Sequence, residues 1–288
     1  MAGVIEVRSV LVAGASGYLG QRLVQSLSEN NFRVTALVRN KNKIKHLDKY
    51  VANFIEAEVT KPETLKDTIN EIDVVISSVG ITKQRDGLTY MDVDYRANLN
   101  LLNEAQKCGV KKFIYVSVFN GHKLKDLKII QAKLKFAEAL RSSGMPYLII
   151  NPNGFFSDVS EIFRMAEKNT VYLFGDGNLK ANPIDGKDLA DNIVQNIDSD
   201  KKEIEVGGPE ILTQNQIAEI AFDVLGKKKK IRYIPIWMSR FLLKIIRFFT
   251  TVKIYGPIEF FMTVLTMDMI ADSYGKTTLK EYFKTLKK

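Results

Sequence analysis

Val10-Leu11-Val12-Ala13-Gly14-Ala15-Ser16-Gly17-Tyr18-Leu19-Gly20 joins an apolar strand pattern to a helix through three glycines. A short Val/Leu run feeds into G-x-x-G-x-x-G, and the pattern that follows, 18–29, is helical. In such a turn the first glycine allows a tight bend and the second lets backbone N–H groups approach a pyrophosphate. The third allows close helix–strand packing, while the helix N-terminus favours negative charge. The expectation is a nucleotide held by Gly14, Ala15, Ser16, Gly17, Tyr18, Leu19 and Gly20. A glycine-rich turn with no ligand is the plainer alternative.

Outward from that loop, strand-like runs recur at 9–13, 32–38, 53–57, 73–77, 112–117 and 147–150. Most are continuous Val/Ile/Leu runs, as expected when both faces of a parallel sheet are covered. Helical patterns fill the gaps at 18–29, 62–70, 90–107 and 125–142. Gly109 and Gly144 stand just past two of these helices, where a left-handed stop is wanted. The alternation predicts an α/β fold with a doubly wound parallel sheet.

After residue 151 the rhythm loosens, with patterns at 158–167, 171–174, 186–197, 203–206 and 213–225. The expected organisation is a nucleotide-binding domain over 1–155, to which 183–206 returns. A smaller, mostly helical lobe takes 156–182 and 207–288. The 288 residues, 45% of them hydrophobic, suffice for one large domain or a domain with an appendage. One cysteine, Cys108, forbids an internal disulfide, and with two histidines it leaves too few soft ligands for zinc, so no metal is expected. Residues 1–8 include Glu6 and Arg8 and lack an apolar h-region, so no secretion signal is expected. No charge-free apolar run approaches the roughly 18–20 residues of a spanning helix, so a cytoplasmic protein is expected. The net charge of +9 suits nucleic acid, an anionic membrane or a phosphorylated ligand.

The end of the second strand bears on which nucleotide binds. A site for NAD usually places Asp or Glu about 20 residues beyond the glycines, on the ribose 2′-hydroxyl. Here Arg39 stands in that place, followed by Asn40, Lys41 and Lys43. An arginine fork suits a 2′-phosphate, which favours NADP(H) over NAD(H). The alternative is a solvated basic turn. Glu58 and Val59, past the third strand, are expected near the adenine. Ser78, Val79 and Gly80, past the fourth, are expected under the pyrophosphate or ribose, because ligands sit outside the carboxyl ends of parallel strands.

The helix over 125–142 has an apolar stripe of Ile129, Phe136 and Leu140 flanked by Ala132 and Ala137, and Lys133 lies on it. A lysine there needs a partner or a task, or snorkels at the rim of the core. The glycine loop, Arg39, Ser117 after the fifth strand and Lys133 together resemble the short-chain dehydrogenase/reductase superfamily. The run Ser143-Gly144-Met145-Pro146-Tyr147-Leu148-Ile149-Ile150-Asn151-Pro152-Asn153-Gly154-Phe155-Phe156 narrows this. So does Leu173-Phe174-Gly175-Asp176-Gly177 leading to Asn182-Pro183-Ile184-Asp185-Gly186-Lys187-Asp188-Leu189-Ala190. These resemble the atypical branch of NmrA-like and divinyl-chlorophyllide-reductase-like NAD(P)-binding proteins, over about residues 8–210.

The resemblance implies an active site of Tyr-x-x-x-Lys, with the lysine on the nicotinamide ribose. Ile129 stands four residues before Lys133, so the tyrosine is missing. That counts against a standard alcohol dehydrogenase and leaves open hydride transfer to an activated double bond, with the proton from elsewhere. The candidates are Lys133, made less basic by burial, and His122, whose alternative is an exposed loop histidine. Ser117 orients substrate or merely ends the strand. Asn151-Pro152 replaces the Arg-Pro common in relatives.

Residues 236–250 read Ile-Trp-Met-Ser-Arg-Phe-Leu-Leu-Lys-Ile-Ile-Arg-Phe-Phe-Thr. On a helix Arg240, Lys244 and Arg247 share one narrow stripe and apolar side chains cover the rest. Three readings stand open: an interfacial membrane element within 227–269, a helix across a large substrate, or the core of the second lobe. Lys227–Lys230 upstream suits an anionic surface or a solvated turn. The positive residues are dispersed without a stacking-aromatic motif, so no nucleic-acid partner is expected. Two function classes remain. One is an NADP-dependent oxidoreductase that transfers hydride to a small hydrophobic, conjugated C=C or C=O substrate. The other is a non-catalytic NADP sensor or assembly protein. The oligomeric state is not encoded in any of these patterns.

Overall fold

The computed structural model describes residues 7–84 and 86–287. Residues 1–6, over which most of the signal-peptide reading falls, lie outside them. In chain order the main elements are β1 (Ser9–Ala13), α1 (Tyr18–Glu29), β2 (Arg33–Val38), β3 (Asn53–Glu56), β4 (Val74–Ser77), α2 (Asn98–Lys107), β5 (Lys112–Val116), α3 (Lys128–Arg141) and β6 (Tyr147–Pro152). There follow α4 (Phe156–Glu167), β7 (Val171–Phe174), β8 (Lys180–Ala181), α5 (Gly186–Gln195), β9 (Glu203–Val206), β10 (Leu212–Thr213) and α6 (Gln214–Leu225). The chain then runs through β11 (Ile231–Ile234), α7 (Ile236–Phe249), α8 (Val252–Val264) and α9 (Leu279–Leu286).

The main sheet has seven strands in the order β3-β2-β1-β4-β5-β6-β9. The pairings β2–β3, β1–β2, β1–β4, β4–β5 and β5–β6 are all parallel, so this is the doubly wound Rossmann arrangement. Every residue of β1 and β4 is buried, which is why their sequences are unbroken apolar runs. Alternate residues Leu11 and Ala13, Val75, Phe113 and Tyr115, and Ile149 form one face and meet Leu101, Ala105 and Phe136 from α2 and α3. Gly109 and Gly144 hold φ of +71° and +75°, the left-handed stops expected after α2 and α3.

Two expected helices differ. The 62–70 segment forms only a three-residue 3₁₀ turn, Pro62–Thr64. Asp67 and Glu71 adopt φ of +58° and +61°, which an α-helix does not admit. Leu65, Ile69 and Ile72 are nevertheless buried, so turns satisfy a spacing that reads as helical. The 90–107 segment opens as a π-helix, Met91–Ala97, before α2 begins.

By contacts the chain divides into two units. The first is Met1–Ser117, Gln131–Ile150 and Ala190–Ile204; the second is Val118–Ile130, Asn151–Leu189 and Glu205–Lys288. Residues 118–130, 151–155, 183–189 and 205–206 therefore group with the second unit, where the sequence places them with the first. Asn120 explains part of this, since its Nδ2 reaches Met269 Sδ and neighbouring Phe119 packs with Met269 and Ala271. Inside the second unit α4, α6 and α9 pack Phe156, Phe163, Phe222 and Phe283 together. Asp188 is buried and accepts the backbone N–H groups of Lys276 and Thr277, which gives the Asp185–Asp188 segment an anchoring task.

The second unit also overturns one reading of the tail. Of α7, only Ser239 is buried, and Trp237, Phe241, Phe248 and Phe249 are 67%, 60%, 83% and 77% exposed. This helix is not the core of that unit. A broad apolar face looks the same in sequence whether it is covered or bare.

Candidate functional site

The glycine loop lies at the carboxyl end of β1 and is shaped by contacts a side chain would destroy. Gly14 has φ +82°, and a Cβ there would stand 2.8 Å from Ser78 Oγ. A Cβ on Gly20 would stand 2.1 Å from the Gly14 carbonyl oxygen. Gly17 N–H donates to that same carbonyl at 2.9 Å, closing the turn. No side chain caps the N-terminus of α1, whose N-cap is Gly17. Ser16, Gly17 and Tyr18 are exposed, while Ala15 and Leu19 are buried beneath them. An uncapped helix start behind an exposed turn is what a diphosphate requires.

Ser78 straps the next loop to this one. Its backbone N–H and its hydroxyl both donate to the Ala13 carbonyl, at 3.0 and 3.1 Å. Ser77 Oγ donates to Asn98 Oδ1 at 2.5 Å, and Asn98 Nδ2 donates to the carbonyls of Val79, Val93 and Asp94. Asn98 thus fixes the course of Ser78-Val79-Gly80 from below.

Lys133 and Gly80 come together, although 53 residues apart in the chain. Lys133 Nζ lies 2.9 Å from Asp94 Oδ1, and a Cβ on Gly80 would touch both groups. Asp94 is fully buried, its Oδ2 accepts the Ile81 N–H at 3.2 Å, and the Lys133 side chain is 15% exposed. Gly80 itself is exposed, so the ammonium lies just beneath an open backbone turn. The stripe Ile129, Ala132, Phe136, Ala137 and Leu140 is buried around Lys133, while Lys128, Gln131, Lys135 and Glu138 are exposed. Burial alone would lower the Lys133 pKa, the sign expected from sequence. The Asp94 charge outweighs it and holds the ammonium above its ordinary value, so Lys133 stays charged and is not a ready proton donor.

Beneath the pair, Tyr115 is fully buried, packs edge-on against Phe136 and feels the charges of both Lys133 and Asp94. Its hydroxyl has no hydrogen-bond partner among the described residues, and burial pushes its pKa up to about 12. It does not replace the missing family tyrosine at an accessible position. Ile129 fills that place as a buried apolar residue.

Arg39 and Lys43 are exposed in the turn after β2, where Asn40 accepts the Asn42 N–H. Glu56, at the end of β3, reaches the same turn and accepts the Lys41 N–H at 2.7 Å. This acidic neighbour is invisible in the local pattern, because strand pairing brings it in. Glu58 and Val59 follow β3; the Glu58 carboxylate serves Thr60 and Lys61, and the Val59 carbonyl accepts from Asn100. Ser117 is buried just past β5, its N–H donating to the Ile150 carbonyl at 2.8 Å. His122 is exposed in a 3₁₀ turn, Gly121–Leu124, of the second unit.

Sequence reasoning missed Asp94 and Asn98. A signal existed, since the two stand four apart on the face that carries Leu101, Leu102 and Ala105, where a carboxylate and an amide need partners.

A loop of this shape on a Rossmann sheet defines a nucleotide-binding protein. The family model described as NAD(P)H-binding matches residues 14–200. The chain is 30% identical over 315 residues to the chloroplastic divinyl chlorophyllide a 8-vinyl-reductase of Zea mays, covering 96% of this chain and 78% of that one. It is 26% identical over 246 residues to the photosystem II assembly factor Ycf39 of Guillardia theta, covering 84% of this chain and 78% of the relative. Among solved structures, AtPrR2 with NADP+ and (+)pinoresinol superposes with a TM-score of 0.78 at 17% identity, over 98% and 99% of the two chains. The chain belongs to the NAD(P)H-binding, NmrA-like family whose model it matches.

Proposed function

We propose that this protein is an NADP(H)-dependent reductase of a hydrophobic, conjugated acceptor. The observation that carries the reading is the Lys133–Asp94 pair under Gly80, beside a loop that tolerates no side chain at Gly14 or Gly20. A relative 30% identical over nearly the whole chain is a vinyl reductase, which supports a C=C acceptor such as a vinyl-bearing tetrapyrrole.

In this reading Gly14–Gly20 hold the pyrophosphate through backbone N–H groups, and Arg39 and Lys43 take the 2′-phosphate. Glu58 and Val59 flank the adenine, and Ser78–Gly80 line the ribose and pyrophosphate. Lys133, held charged by Asp94, donates to the nicotinamide ribose hydroxyls. When bound, NADPH supplies a hydride. A conjugated acceptor takes that hydride at one carbon and a proton at the other, so the ring of a phenol is not obligatory. Ser117 orients the acceptor. With Lys133 locked as an ammonium, His122 and solvent are the proton sources to be separated by a His122→Gln variant.

The second reading is an NADP-binding assembly or regulatory protein. The missing tyrosine and the Ycf39 relative favour it. The two readings separate when protein is titrated with NADPH and NADH, then given quinones, enones and vinyl tetrapyrroles while reduced-nicotinamide absorbance is followed. The reductase reading expects consumption with at least one acceptor. Tight NADPH binding with no turnover on any of them moves the assignment to the second reading. Arg39→Ala should weaken NADPH about tenfold, as loss of one charge-assisted contact does, and leave NADH within about twofold. Equal losses on both nucleotides would remove Arg39 from the 2′-phosphate site.

A further inference from the structure

The charge of this chain is concentrated in one place. Residues 227–258 contain nine Lys and Arg and no Asp or Glu. Removing those nine from the total of 42 leaves 33 basic residues, equal to the 33 acidic ones. The entire net charge of +9 therefore belongs to 32 residues, and these contain β11, α7 and most of α8.

The same segment bares the largest apolar side chains of the protein. At about 100° per residue, Ser239, Leu243 and Ile246 share the side of α7 that is buried or half-buried. Trp237, Met238, Phe241, Leu242, Ile245, Phe248 and Phe249 occupy the opposite arc and are all exposed. Arg240, Lys244 and Arg247, exposed as well, form a stripe along one border of that arc. Arg247 pairs with the buried Glu259 of α8, which ties the two helices into one hairpin. Ile254 of α8 is 54% exposed, and Lys228, Lys229 and Lys230 are exposed before β11.

We infer that α7 is a membrane-docking helix that lies on an anionic lipid surface. Its apolar arc enters the boundary between headgroups and acyl chains, while the bordering Arg and Lys side chains meet lipid phosphates. With 14 residues, α7 is shorter than the roughly 20 that a spanning helix needs. Among the described residues no helix is long and apolar enough to cross a membrane. Charge decides between occupants. A second copy would face α7 with another surface of the same strong positive sign, since an isologous interface repeats one patch on both sides. An anionic bilayer complements it. This inference does not depend on the reductase reading.

Trp237 is the single tryptophan of the chain, so its fluorescence reports on this face alone. Full-length protein is mixed with vesicles of equal phosphatidylglycerol and phosphatidylcholine carrying brominated acyl chains, and with phosphatidylcholine vesicles as control. The expected result is a blue-shifted, quenched Trp237 signal on the anionic vesicles, weakened by salt and much smaller on the neutral ones. Phe241→Glu with Phe248→Glu should lower vesicle partition at least about tenfold, while far-UV circular dichroism and NADPH binding stay as in the parent. No bromine quenching on anionic vesicles at low salt overturns the inference. So does a concentration-dependent dimer in which Trp237 is already shifted without lipid, which would give the face to a second copy.

Discussion

A methyl group on Gly20 would stand 2.1 Å from the Gly14 carbonyl oxygen, well inside van der Waals contact, and that oxygen belongs to backbone that cannot swing away. Gly20→Ala is therefore expected to cost about 1–3 kcal/mol, as overpacking does, and to weaken NADPH. Urea unfolding and a fluorescence titration check the two effects separately. Lys133 poses a different problem. Lys133→Met leaves the Asp94 carboxylate buried without its counter-ion, so a loss of about 3–5 kcal/mol is expected. Lys133→Met with Asp94→Asn should recover part of it. The sign of the pH dependence follows from the raised Lys133 pKa: its contribution is full below the ordinary value of 10.5 and fades only as pH rises through the higher folded value. The stability gap between parent and Lys133→Met should thus shrink only as pH rises into the range where Lys133 titrates. A gap that instead shrinks below pH 9 would contradict the pairing.

At the scale of elements, Asp73 fastens the start of β4 to β1 by accepting the Ser9 N–H at 2.8 Å, and it pairs with Lys111 at 2.7 Å. The Lys111 hydrogen bond, followed by the Ser9 one, holds its carboxyl below the usual 3.8. Its stabilisation is present above that ordinary value and is lost as pH falls through the depressed one. Asp73→Asn should cost about 1 kcal/mol at neutral pH, with the difference vanishing in strong acid; denaturant midpoints over a pH series measure it. Elements also show where sequence patterns stop. The strands were legible because parallel strands covered on both faces leave unbroken apolar runs, as in Val10–Ala13. The 62–70 segment was not, because Leu65, Ile69 and Ile72 carry helical spacing while Asp67 and Glu71 turn left-handed. The π-helix Met91–Ala97 presents Asp94 and ends at Asn98, and no local pattern distinguishes such a turn from an ordinary helix start.

For the molecule as a whole, the glycine loop at the end of β1 was readable from spacing, and the partners that the fold brings to Lys133 and to the turn after β2 were not. Lys133 on a buried stripe announced that a counter-charge was needed, but Asp94 lies 39 positions earlier and only the fold brings the two together. Glu56 beside the basic turn after β2 is hidden in the same way, since pairing of β2 with β3 supplies it. The surplus charge changed meaning most. Read along the chain it is scattered among many Lys and Arg; counted by segment it gathers around one bare helix.

Hydride transfer from NADPH to a conjugated hydrophobic acceptor leaves an isotopic trace that can be followed. NADPH carrying deuterium at both C4 positions of its nicotinamide is incubated with the protein and a panel of vinyl tetrapyrroles and enones, and products are weighed by mass spectrometry. The expected product is a reduced acceptor one mass unit heavier than that formed from unlabelled NADPH. Folded protein that binds NADPH yet yields no reduced, labelled product from any acceptor would contradict it.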